Sequence, residues 1–244
     1  MADYREAGHL PKRREGGLPS PPEGLPRQRR GTTPQGIGRY PHYDVLEHAG
    51  HWDEATRAAV LPRVESPPPI RFFSVAEAAS LRAFCDTVTA QDHEPRIPVL
   101  ELVDEKLHAG RLEGYRYANM PDDRDTWRLA ARGLDEAART RGAPSFAAAG
   151  EPARRAICHD FEAGELDGGA WEELDVQRAW SVLLRDTLSA FYSHPWAWNE
   201  IGFGGPAYPR GYSRLGTGLS ETWEGEEAFS LDPVEDVARR GLDS

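Results

Sequence analysis

Val176, Trp180, Leu183, Leu184, Thr187, Leu188 and Phe191 recur at i, i+4, i+7, i+8, i+11, i+12 and i+15, and the spacing stops at His194-Pro195. Positions so spaced stack side chains on one face of an α-helix. A residue that precedes proline is disfavoured in the α region, so the pattern has a defined end. The spacing predicts a helix from Asp175 to about Ser193. Its apolar face must be covered, and other helices are the natural cover in a chain without strands.

Further helices are legible on either side. Ser74-x-x-Glu77 has the spacing of a capping box, in which the serine side chain accepts an amide and the glutamate reaches back. Leu81, Phe84, Cys85 and Val88 then mark one face of a helix that ends near Ala90. Pro98 suits the first turn of the next helix, with Val99, Val103 and Leu107 inward and Gly110 as its stop. Trp127, Ala130, Leu134 and Ala138 predict a helix over 123–141. A shorter one begins around Pro152 and carries Ile157 and Phe161. Short helices are also expected over 53–61 and 232–240, and Pro67-Pro68-Pro69 reads as a stiff extended spacer. No period-two run of β-branched residues exceeds a few positions. The fold class is therefore all-α: an irregular domain of about five to six helices, with extended Pro/Gly-rich arms at both ends. The expected organisation is an N-terminal disordered or wrapping arm over 1–38, a helical domain over 39–215 and a C-terminal extension over 216–244.

Charge and cysteine content remove several function classes. The chain of 244 residues carries a net charge of −11. Residues 1–38 hold seven Lys and Arg against four Asp and Glu, which leaves −14 for the remainder. Only that short arm is basic, so the chain lacks the basic face of a nucleic-acid binder. Cys85 and Cys158 show no C-x-x-C spacing, which argues against a zinc ribbon or disulfide framework. No window approaches the apolar length of a membrane span. No apolar stretch follows Arg13-Arg14 or Arg29-Arg30, so the expectation is a cytoplasmic chain, unless a signal-bearing partner exports it.

Catalytic motifs do not emerge. Gly36-Ile-Gly38 and the glycines of 202–205 lack the G-x-G-x-x-G spacing that aims backbone amides at a phosphate. His42, His48 and His51 lie near Asp44, Glu47 and Asp53 and form the one candidate metal cluster, the basis of an alternative reading as a metal-dependent enzyme. The competing reading is exposed polar residues flanking Tyr43 and Trp52. Cys158 and His159 point about 100° apart on a helix and would not act jointly. His194 is read as a C-terminal cap favoured by the helix dipole. The acidic residues read as solvated faces or helix N-termini. No catalytic, cofactor-binding or metal-binding residue is assigned to this chain.

What remains is the segment HPWAWNEIGFGGPAYPRGY, residues 194–212, which holds aromatics, prolines and glycines without a helix or strand period. Its rings must be buried, either over the chain's own helices or against another chain. Glycine and proline hold a backbone in fixed, non-helical shapes, and Trp and Tyr serve as interface anchors. Trp196, Trp198, Phe203, Tyr208 and Tyr212 are the candidate partner-facing residues.

IPVLELVDEKL after the capped helix, and FYSHPWAWNEIGFGGPAYPRGY after the strongest one, resemble the gluconate 2-dehydrogenase subunit 3 family over roughly residues 70–215. The specific parts are Tyr192, His194 and Pro195, and then Gly205, Pro206, Pro209, Gly211 and Tyr212. The resemblance implies a helical accessory subunit that binds and stabilises a large flavoprotein dehydrogenase of the glucose–methanol–choline type. It implies that FAD and the sugar or polyol oxidation belong to that partner, and that this chain carries no catalytic residue. A free-standing assembly or export factor is the alternative role. Several members of the family carry a twin-arginine export signal; this chain has arginine pairs without the hydrophobic region.

Overall fold

The computed structural model describes residues 40, 43–92, 94–112, 114, 117–208, 211 and 221–225. The arm over 1–38, His42, Tyr212 and the helix expected over 232–240 lie outside the described residues. Within them the chain is all-α, with eight helices and no strand. The helices are α1 Glu54–Val60, α2 Pro62–Glu65, α3 Val75–Val88, α4 Val99–His108, α5 Asp123–Thr140, α6 Glu151–Ala163, α7 Val176–Tyr192 and α8 Pro195–Ile201. Two 3-10 turns, Val45–His51 and Gly169–Glu173, complete the set. The excess over five to six helices comes from the single-turn α2 and from α8. The described residues fall into two compact units: Pro62–His194, and those up to Leu61 together with those from Pro195 onward.

The unit Pro62–His194 is a bundle in which α5 packs against α3, α6, α7 and the turn Gly169–Glu173, while α4 packs against α3 and α7. Local signals set the helix ends. The Ser74–Glu77 capping box is complete, with the Glu77 amide 3.3 Å from Ser74 Oγ and the Ser74 amide 2.8 Å from Glu77 Oε2. Asp122 caps α5 and Asp175 caps α7. Trp127, Ala130, Leu134 and Ala138 are all fully buried, as the spacing predicts. Phe84, Phe161, Trp171 and Trp180 form an aromatic cluster, with Phe161 4.8 Å from Trp171 and 5.3 Å from Trp180 between ring centroids. Each such side chain, once buried, contributes about 1.5–3 kcal/mol from apolar burial.

Two buried aspartates organise the polar interior. Asp104 on α4 is fully buried and accepts the backbone amides of Arg71, Phe72 and Phe73 at 2.7, 2.9 and 3.0 Å. Those amides have no helix or sheet partner, and one carboxylate satisfies all three. Asp186 on α7 is held by Lys106 Nζ at 2.9 Å, Trp127 Nε1 at 3.2 Å and Arg185 Nε at 3.2 Å. Its anchoring helps explain one departure from the apolar pattern. The buried face of α7 is Ala179, Val182, Leu183, Asp186, Thr187, Ala190 and Phe191. Val176, Trp180, Leu184 and Leu188, expected inward, are half-buried.

The second unit pairs the turn Val45–His51 with α8. Val45, Leu46, Ala49, Trp52, Trp196, Ala197, Trp198 and Trp223 form its core. Asp44 and Asn199 lock the pairing: the Val45 amide donates to Asn199 Oδ1 at 2.8 Å, and Asn199 Nδ2 donates to Asp44 Oδ1 at 3.3 Å.

Candidate functional site

The candidate segment is not irregular throughout. Pro195–Ile201 is the helix α8, so Pro195 opens a helix as well as following the end of α7. Proline fits a first turn because the amide it lacks would be unpaired there anyway. The helix is too short for a periodic signal, which is why the spacing does not reveal it.

α8 ends in a Schellman motif. Gly202 takes φ +66, and the Phe203 amide donates back to the Trp198 carbonyl at 2.9 Å. The Phe203 ring meets the Trp198 ring edge-on at 5.7 Å between centroids, the apolar contact that accompanies such a motif. The Tyr43 hydroxyl lies 2.9 Å from the Phe203 carbonyl oxygen and 2.7 Å from that of Trp223, so its one proton is shared between them. Gly205 has φ +74, and a Cβ there would stand 2.9 Å from Val45 Cγ2. Backbone conformation and close approach both demand glycine at that position.

The segment therefore has a buried half and an exposed half. Trp196 and Trp198 are 5% and 7% exposed and belong to the unit's own core. Phe203 is 39% exposed and Tyr208 68%, with Ile201 at 50% beside them in sequence. Tyr212 lies outside the described residues. The buried tryptophans and the Tyr43 bridge fix the backbone of residues 198–203, and the ring at 203 reaches solvent from that fixed backbone, while Tyr208 is exposed five residues further on.

The histidines take structural positions. His48 and His51 sit on the turn Val45–His51, their rings 5.1 and 5.2 Å from the Trp223 ring and edge-on to it. Among the described residues no group of three or more His, Cys, Asp or Glu side chains is placed to hold a metal ion. His42 is not among them. His194 overturns its expected role as a charged helix cap. It is fully buried, and burial lowers its pKa to about 4, so the ring is neutral at neutral pH. Its Nε2 lies 3.0 Å from the Arg63 carbonyl oxygen, which can only accept, so Nε2 carries the proton. The same Arg63 donates its guanidinium to the Ser193 carbonyl.

Both thiols are closed to nucleophilic chemistry. Burial pushes Cys85 and Cys158 up to about 12, and Cys85 packs 3.8 Å from the Thr187 hydroxyl. His159, next to Cys158, instead faces Asp160 at 3.8 Å.

Sequence reasoning missed Asp104, Asp186 and Asn199. Each is a polar residue inside an apolar pattern, which is the available signal, but its partners are remote in sequence. No helix among the described residues is long and apolar enough to cross a membrane. A family model described as "Gluconate 2-dehydrogenase subunit 3" matches residues 75–205. No curated protein and no solved structure matches the chain.

Proposed function

The chain belongs to the gluconate 2-dehydrogenase subunit 3 family, and from that premise we propose that it is the non-catalytic small subunit that binds and stabilises a large dehydrogenase subunit of the glucose–methanol–choline type. In this reading FAD and substrate oxidation belong to the large subunit, and this chain supplies an ordered surface. The family's name supports a dehydrogenase-complex subunit. The observation that carries the finer reading is the pairing of a glycine-shaped platform with Phe203 exposed on it and Tyr208 exposed beyond it. Holding large rings in place before binding lowers the entropy cost of association. Trp196 and Trp198 build the platform, and Phe203 and Tyr208, with Tyr212 beyond them in sequence, meet the partner.

The test is mild affinity purification of this chain from its native cells, followed by an absorbance spectrum and a stoichiometry. A flavoprotein of dehydrogenase size retained at one to one supports the subunit reading. A substoichiometric, transient flavoprotein shifts the role to an assembly factor. A lone colourless chain overturns the proposal.

A further inference from the structure

α5 presents Arg124, Arg128 and Arg132 one turn apart on its exposed side, in a chain whose net charge is −11. Arg124 and Arg128 converge on one ring. Their guanidinium carbons lie 4.9 and 4.2 Å from the centroid of Phe72, itself buried. Arg128 also donates to the Phe72 carbonyl at 3.1 Å. The Phe72 backbone is fixed in turn by Asp104. The two cations therefore rest on one support and sit within about 9 Å of each other, comparable to the Debye length of about 8 Å at physiological salt.

Asp122, Asp123 and Asp125 flank this pair, yet among the described residues none of them forms an ion pair with it. Arg82, Arg96, Arg141 and Arg185 each have a carboxylate partner. Arg124 and Arg128 have none within ion-pair distance among the described residues. Of the adjacent aspartates, Asp122 accepts the Asp125 amide and Asp123 pairs with Arg185. Two like charges held together cost repulsion, and a cation in the first turn of a helix opposes the helix dipole. A carboxylate arriving from outside relieves both. A planar guanidinium supplies parallel N–H donors that match a carboxylate, and stacking on Phe72 presets its orientation.

We propose that Arg124 and Arg128 form a preset guanidinium pair that receives a carboxylate from an acidic segment of the partner dehydrogenase subunit. The inference rests on the small-subunit reading above. The pair contributes register and salt-sensitive association, and the exposed aromatics contribute apolar area.

The experiment compares tagged wild type, R124E/R128E, the milder R124Q/R128Q and a control, R111E/R155E, each expressed in the native cells. The control changes charge equally at exposed arginines that have local carboxylate partners. Retained flavoprotein is measured against NaCl concentration, with circular dichroism confirming the fold of each variant. The expected result is about a tenfold loss of retention in R124E/R128E, a smaller loss in R124Q/R128Q and none in the control. In parallel, R124K/R128K complexes are treated with a zero-length carbodiimide, and a crosslink from position 124 or 128 to an Asp or Glu of the flavoprotein is expected. If wild type and R124E/R128E retain the flavoprotein equally, the inference is overturned and the subunit reading stands. Crosslinks only to a second copy of this chain overturn it as well. If wild type retains no flavoprotein, the subunit reading itself fails and takes the inference with it.

Discussion

His194 donates its Nε2 proton to the carbonyl oxygen of Arg63 across 3.0 Å, and the Arg63 guanidinium donates back to the carbonyl of Ser193. The residue before α8 and the residue after Pro62 are thereby clasped from both sides within the unit Pro62–His194.

The clasp makes stability depend on pH. The unfolded chain protonates His194 near its ordinary value of 6.5, whereas the folded chain holds it down to about 4. The unfolded state therefore binds more protons in that window. The contribution of His194 is complete above pH 6.5 and is lost progressively as pH falls from 6.5 towards 4, by on the order of 3 kcal/mol. H194Q keeps a donor for Arg63 and removes the titration. Urea midpoints measured between pH 4 and 7 should fall more steeply for wild type than for H194Q. Equal slopes would show that His194 titrates alike in the folded and unfolded chains.

Asp104 carries three backbone amides, and D104A leaves those of Phe72 and Phe73 buried without an acceptor and that of Arg71 without its protein partner. The expected cost is about 3 kcal/mol or more, with D104N milder because one oxygen remains. Urea denaturation at neutral pH measures both. Midpoints within error of wild type would mean that the 71–73 backbone finds other acceptors.

Gly205 is the most demanding position of the aromatic segment. G205A adds a left-handed conformation for a β-carbon-bearing residue and a clash with Val45 Cγ2. The expected loss is about 1–3 kcal/mol. Hydrogen exchange at the Val45 amide, which Asn199 protects, should accelerate, while amides of α5 keep their protection. Unchanged exchange at Val45 would refute the close packing.

Tyr208 and Trp198 separate interface from core. Y208A removes an exposed ring and should alter the melting midpoint little, with under about 0.5 kcal/mol of change, while flavoprotein retention falls several-fold. W198A empties a core position and should cost about 3–5 kcal/mol whatever its effect on binding. If Y208A retains the flavoprotein as wild type does, Tyr208 is not a partner contact.

The helical bundle is readable from the chain because its determinants are local. Trp127, Ala130, Leu134 and Ala138 recur at helical spacing and are all buried. Ser74 and Glu77 stand three apart and cap each other. α8 escapes the same reasoning because seven residues with proline first and glycine after cannot display a period. Asp186 escapes it because its partners, Lys106 and Trp127, lie 80 and 59 residues away. The aromatic segment stands out by composition, but composition does not say which ring goes inward. Trp196 and Trp198 turn in because α8 packs on the turn Val45–His51. Phe203 and Tyr208 follow the glycine that ends that helix. The arginine pair is silent in the sequence, since only the fold brings Phe72 beneath residues 124 and 128.

The hydrogen bond from Val45 to Asn199 joins residues 154 apart. On a ribosome adding about 5–20 residues per second, the first side of that contact waits roughly eight to thirty seconds for the second. Throughout that interval Val45, Leu46 and Trp52 have emerged without the helix that covers them, while the bundle of 62–194 is being completed. The turn Val45–His51 thus stays uncovered until α8 has been synthesised.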